Sequence, residues 1–341
     1  MKIINHRIYQ ISVAVILFVL ILDAKTAISG AAEAADLCVK TLIPSLFPFI
    51  FFSGLFRNIW QKTTNPLLIR IGKLCKLPRG GENLFLLGLI GGYPVGAKCV
   101  YDSYCDKNID HNSANRMLCF CNNAGPSFII GIVGFLFEYK YVAFWIWGIQ
   151  ILSAIFTAAV IPACPSTNMK EIPITKTNLT MLLRNAISAI ANICGWVIVF
   201  RVILVTMNKW ILWMLPNYLQ IVIAGVLELT NGILMLSTVS SLYLRFLLAN
   251  LFLSLGGLCI ALQTKSVAPG FDYKNYYKGK LLQASLCLIL SSIIGTVLFP
   301  GNNFIYCIYG IIIGVIAACI IHHFIKKNWK KTDIYCIMNK M

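Results

Sequence analysis

Apolar stretches recur along this chain at residues 8–27, 41–56, 117–137, 141–161, 193–205, 242–262, 281–299 and 304–325. Several approach the roughly 20 residues that carry a helix across a hydrocarbon core. Short polar or basic connections separate them. The pattern predicts an all-α polytopic membrane protein.

Two stretches depart from the plain pattern. Residues 86–98 read LLGLIGGYPVGAK, and residues 118–134 read LCFCNNAGPSFIIGIVG. Both are apolar enough for a bilayer, yet the first holds four glycines and a proline, and the second paired asparagines and Gly-Pro. Backbone that leaves the helix inside hydrocarbon must be re-satisfied by protein or by a wet cavity. Broken helices with polar tips near the midplane are how secondary transporters build substrate sites.

The order of segments also repeats. An amphipathic piece, a span, a polar hairpin-like segment, a glycine-interrupted span and a clean span run from 28 to 161 and return from 177 to 299. Gly88–Gly96 then corresponds to Gly225–Gly232 (GVLELTNG), and the asparagine break at 122–127 to residues 250–257 (NLFLSLGG). The expected organisation is a first transmembrane helix (1–27), two repeat halves (28–161 and 177–299), a last helix (304–325) and a basic cytoplasmic tail (326–341). Residues 83–100 and 219–236 are read as re-entrant, so about eight transmembrane helices remain, plus two re-entrant or broken hairpins. Two prolines should bend the span at 41–56.

Charge supports this layout. The formal net charge is +17 with 12% charged residues, against about 25% in soluble domains. The basic residues sit between apolar runs rather than along one face, as positive-inside topology requires. With both termini cytoplasmic, only Lys25, Lys40, Lys140 and Lys209 fall outside, while Lys98, Arg201 and Arg245 lie at membrane depth. The halves then have opposite orientation, an inverted-topology repeat. A non-repeating bundle of eight to ten spans is the alternative. The 13 cysteines form no CxxC pair and read as small buried residues.

The stretches LIPSLFPFIFFSGLF (42–56), GLIGGYPVGAK and CNNAGPSFIIG resemble the YlbJ-type sporulation integral membrane proteins. These belong to the wider group that carries the nucleoside recognition, or Gate, domain. The resemblance spans about residues 27–325. It implies a transporter that moves dipicolinic acid out of the mother cell across the outer forespore membrane. The group also holds nucleoside transporters and spore-maturation proteins. The polar signature of the nucleoside carriers has only a partial echo here, Glu228–Leu229–Thr230–Asn231.

An ionisable side chain at membrane depth costs about 2.5–3.5 kcal/mol on insertion scales and is functional by default. Lys98 and Arg201 are the cations expected to meet an anionic substrate, with half-helix N-termini assisting. Lys98 could equally snorkel to the surface, and Arg245 reads as an interface anchor. Glu228 either closes an ion pair with Arg201 or Lys98, or carries a proton or coupling cation. Asn122, Asn123 and Ser127 line the site or bond between helices, as do Thr230 and Asn231. Tyr93 either stacks on an aromatic substrate or marks the interface. Gly91, Gly92, Gly96, Gly125 and Gly232 are expected to serve as backbone hinges.

No HExxH, GxSxG or Walker-type GxxxxGK[ST] pattern occurs, so neither an enzyme nor an ATP-driven pump is expected. No cofactor is expected. The expected partners are a small organic anion and the lipid bilayer, with homo-oligomer formation left open and no nucleic acid. A nucleoside carrier and a non-transporting membrane scaffold in spore maturation are the rival functions.

Overall fold

A computed structural model describes Gln10, Ala14, Val15 and residues 17–59, 65–78, 80–163, 178–301 and 304–338. For 56–59 and 327–338 it gives the helix path alone. Thirteen of the 27 residues of the expected first helix lie outside the described residues, as do the side chains of the basic tail beyond Lys326. Every regular element among the described residues is helical.

Helix α1 (Ala24–Leu37) runs through a π-helical turn (Cys38–Leu42) into α2 (Ile43–Ile59). The amphipathic piece and the span expected separately over 28–56 are therefore one continuous helix. Pro44 explains the π turn: its ring displaces the carbonyl four residues back, that of Lys40, and a wider turn accommodates this. After α3 (Pro66–Leu74), a hairpin forms from α4 (Gly81–Gly91) and α5 (Val95–Cys105). The asparagine stretch is a helix in two pieces, α6 (His111–Cys121) and α7 (Pro126–Gly131), followed by α8 (Tyr141–Val160).

Helix α9 (Leu179–Trp210) is one 32-residue rod, again joining segments expected to be separate. A second hairpin follows, α10 (Asn217–Leu227) with α11 (Leu229–Met235). Next come α12 (Leu242–Leu255) and α13 (Gly257–Val267), parted only by Gly256, then α14 (Tyr273–Leu298) and α15 (Phe304–Met338).

Among the described residues, six helical stretches are long and apolar enough to cross a bilayer: Ala24–Leu55, Tyr141–Val160, Leu179–Trp210, Leu242–Val267, Tyr273–Leu298 and Phe304–Lys326. This makes the chain a helical integral membrane protein. In the last stretch only 11% of residues are buried, and its Phe304, Ile305 and Ile313 side chains are exposed. Such a surface requires an apolar solvent. Helices α4 and α10 have 11 residues each, so each rises only about 16 Å, half of the about 30 Å core.

Helix α14 is the centre of the packing, touching α6, α8, α12 and α15. Its Tyr276, Gly279, Lys280, Gln283 and Cys287 are buried on one face at helical spacing. The sequence reading ended a basic loop at Lys280, and the structure corrects this. The helix starts at the Asp272 N-cap, whose carboxylate accepts from the Lys274 N–H (3.0 Å). Hydropathy alone hid these two first turns because they are rich in Lys and Tyr.

Each hairpin closes glycine on glycine. Gly88 of α4 faces Gly96 of α5, and a Cβ on either would run into the Cys121 carbonyl at the end of α6. Gly225 of α10 faces Gly232 of α11 in the same manner. Gly96→Ala must push two backbones apart, at a cost on the overpacking scale of about 1–3 kcal/mol. Its purified form is expected to melt several degrees lower, whereas Gly148→Ala, with open space around it, should melt like the wild type.

Arg116 on α6 is buried and donates five hydrogen bonds to carbonyls: Pro162 (3.0 Å), Lys76 (3.1 Å), Cys75 (2.8 Å), Ala158 (2.6 Å) and Ile161 (3.2 Å). It thereby closes the C-terminal ends of α3 and α8, where a cation is favoured by the helix dipole. Arg116→Met leaves buried carbonyls without a donor, at about 1–3 kcal/mol for each group left unsatisfied, read as a fall in melting temperature or in membrane abundance.

Candidate functional site

The helix breaks and hairpin tips meet in the protein interior. The first tip, Gly92-Tyr93-Pro94, lies against the α6–α7 break, where Gly92 has φ +76° and a Cβ would sit 2.7 Å from the Gly125 nitrogen. The Tyr93 hydroxyl crosses to the other interrupted helix and donates to the Leu253 carbonyl. Gly256 and Gly257, both at positive φ, lie between Tyr93 and the carbonyls of 225–227 at the end of α10. A side chain at Gly257 would fill the space through which α10 approaches.

Around the α6–α7 break sits a buried polar cluster. Lys280 Nζ donates to the Asn122 carbonyl (3.0 Å) and to Gln283 Oε1 (2.8 Å). Gln283 Nε2 donates to Asn123 Oδ1 (2.8 Å), and Asn123 Nδ2 to the Phe120 carbonyl (2.7 Å). Asn122 Nδ2 donates to Thr264 Oγ1 (2.8 Å) and to the Tyr276 hydroxyl (3.3 Å). The ammonium also lies over the Tyr93 ring, 5.4 Å from its centroid. One turn further along α14, Cys287 and Gln150 Nε2 bond to each other (3.2 Å) and to the Asn250 carbonyl.

The second hairpin builds a different arrangement. Glu228, 1% exposed, caps α11 by accepting from the Thr230 N–H (3.0 Å), the Asn231 N–H (2.7 Å) and Asn231 Nδ2 (2.7 Å). Arg201 donates to Asn231 Oδ1 and pairs with Glu33 on α1. Glu228 thus reaches Arg201 through an amide rather than by a direct ion pair. An open cavity of about 280 Å³ adjoins this chain and is lined by Glu33, Leu37, Lys40, Arg201 and Asn231 among others.

Of the residues expected at the site, Tyr93, Asn122 and Asn123 share the Lys280 cluster, and Glu228, Thr230, Asn231 and Arg201 share the second. Ser127 lies at the start of α7 with its hydroxyl buried and without a hydrogen-bond partner. Lys98 pairs with Asp102 one turn along α5 (3.3 Å), both side chains partly exposed, in a small recess lined also by Ile50, Ser53 and Val95. Arg245 donates to the Leu136 (2.6 Å) and Val239 (2.7 Å) carbonyls, closing the 3-10 turns Val133–Leu136 and Leu236–Thr238. The hinge glycines all sit at close contacts: Gly91 against Val95, Gly92 against Gly125, Gly96 against Cys121 and Gly232 against Gly225.

Sequence reasoning missed Lys280, Gln283, Thr264, Tyr276 and Arg116. The signal for the α14 residues was the spacing 276–280–283–287, one polar stripe entering an apolar run. Outside the membrane helices, burial pushes the Cys75 thiol up to about 11 against the pull of the Arg116 charge. It is a packing thiol at neutral pH, not a nucleophile. Comparison with family models, with curated proteins and with solved structures finds no match to this chain.

Glu228→Gln tests the second arrangement. The amide puts an N–H donor where the carboxylate accepts three N–H groups, and hydrogen bonds to a charged group carry about 1.5–3 kcal/mol. The variant is expected to lose stability on that scale, measured by thermal unfolding; an unchanged melting temperature would show the cap to be dispensable.

Proposed function

We propose that this chain is a secondary-type membrane transporter of a small organic anion. The cargo and setting that the resemblance implies are dipicolinic acid and its passage from the mother cell across the outer forespore membrane. The observation that carries the reading is Lys280, a lysine at 2% exposure beside an unwound helix, met among the described residues by neutral oxygens and an aromatic face. Buried charge is costly unless a counter-charge meets it, and an anionic cargo supplies one. A nucleoside carries no such charge.

The proposed architecture is an inverted repeat. Long helix, short hairpin, interrupted helix and clean helix follow in that order in α1–α8 and again in α9–α14. Both hairpins pack on α13, so rocking one half against the other would open the buried cluster to one side at a time, as alternating access requires. Counting the expected first helix and the two-piece α6–α7 gives eight crossings, with both termini cytoplasmic. Net flux would follow the cargo gradient.

Purified protein in liposomes, offered labelled dipicolinate and labelled uridine side by side, tests this. Saturable dipicolinate flux, absent from protein-free liposomes, is the expected result. Uridine flux alone would move the chain to the nucleoside carriers. No flux of either through folded protein would favour a scaffold role.

A further inference from the structure

An ammonium has three N–H donors. Lys280 Nζ donates to the Asn122 carbonyl and to Gln283 Oε1 and meets no third oxygen. The ion pairs among the described residues, Lys40–Asp36, Lys98–Asp102, Arg201–Glu33 and Lys209–Asp23, leave it without a carboxylate. Beside it, Asn122 Oδ1 is fully buried and accepts nothing. A buried lysine finds an acid, reaches water by snorkelling, or is held without its extra proton. This one has no acid beside it, so an arriving anion favours its charged form.

We propose that Lys280 is the residue that binds the carboxylate of the cargo, and that Gln283 holds the place of that carboxylate in the empty protein. An incoming carboxylate takes the position of Gln283 Oε1 on the ammonium. Gln283 is then free to turn, and its bond to Asn123 Oδ1 breaks. Asn123 is the link between α14 and the last turn of α6, since its own amide holds the Phe120 carbonyl. Cargo binding therefore loosens the break in the first interrupted helix, which couples occupancy to movement. The Tyr93 ring beside the ammonium provides a flat wall and selects a carboxylate carried on a planar ring. The inference rests on the carrier reading only for the source of the anion; the site itself is tested by binding.

Full-length protein purified in detergent is titrated with dipicolinate, with benzoate and with the uncharged pyridine-2,6-dimethanol, following the melting temperature. Both carboxylates are expected to raise it saturably and the diol to leave it unchanged. Lys280→Met strips the buried Asn122 carbonyl and Gln283 Oε1 of their donor, so its ligand-free form should melt lower than the wild type. Its apparent carboxylate affinity should fall by about 30-fold or more, the scale for losing one partner of a buried charge pair. Gln283→Glu places a carboxylate on the ammonium permanently. It gives up the bond to Asn123 Oδ1 and should show the same loss of affinity. The inference is overturned if no carboxylate stabilises the wild type, or if Lys280→Met responds like the wild type. Should Lys280→Met fail to fold, Gln283→Glu decides alone, and undiminished affinity in it overturns the proposal. Carboxylate binding through Lys280 without flux in liposomes would keep the anion site and remove the carrier reading.

Discussion

In hydrocarbon no water is available to hydrogen-bond a freed carbonyl, and every break in a helix must be closed by protein. That constraint accounts for most polar side chains at the centre of this molecule. The Asn122 carbonyl is met by Lys280, the Phe120 carbonyl by the Asn123 amide and the Leu253 carbonyl by the Tyr93 hydroxyl. At helix ends Arg116 and Arg245 do the same for α3, α8 and two 3-10 turns. Each of these groups lies on a different element from at least one carbonyl it serves, so closing the breaks also fixes how the helices pack.

Side chains can close breaks only if the backbones come close, and glycine sets that distance. The Gly88–Gly96 and Gly225–Gly232 contacts let each hairpin fold flat against an interrupted helix. The tips then reach one another through Gly256 and Gly257. Small residues at helix contacts are the general device for close approach in bilayers. Here they bring two unwound segments and two tips into one region, which no straight-helix bundle would do.

The helical membrane class, the glycine and asparagine breaks, and the glycines at close contacts were legible in the chain because each leaves a compositional mark. Hydropathy could not tell where helices begin. The piece that begins at residue 28 reads as separate from the span after it because charges interrupt it, yet its Glu33 pairs with Arg201 of α9 and the helix runs on into α2. Lys280 was hidden for the same reason. A lysine at the edge of an apolar run resembles a loop residue until the N-cap at Asp272 and the stripe from Tyr276 to Cys287 are considered together. The partner of Lys98, Asp102, lies four residues along the same helix, a spacing that the chain itself displays.

The arginines and the central lysine divide the work according to their chemistry. A guanidinium stays charged and offers a rigid fork of donors, so it suits carbonyl clusters that must not move. Arg116, Arg245 and Arg201 each hold two or more elements in this way. An ammonium is a compact charge on a flexible stem whose partners can be exchanged one at a time. Lys280 holds only two oxygens, one a backbone carbonyl and one a glutamine amide that can rotate away. The protein therefore places its fixed clamps at the helix ends and its one exchangeable contact where the first helix is already unwound, so the least energy is needed to change the structure at the point where a ligand would act.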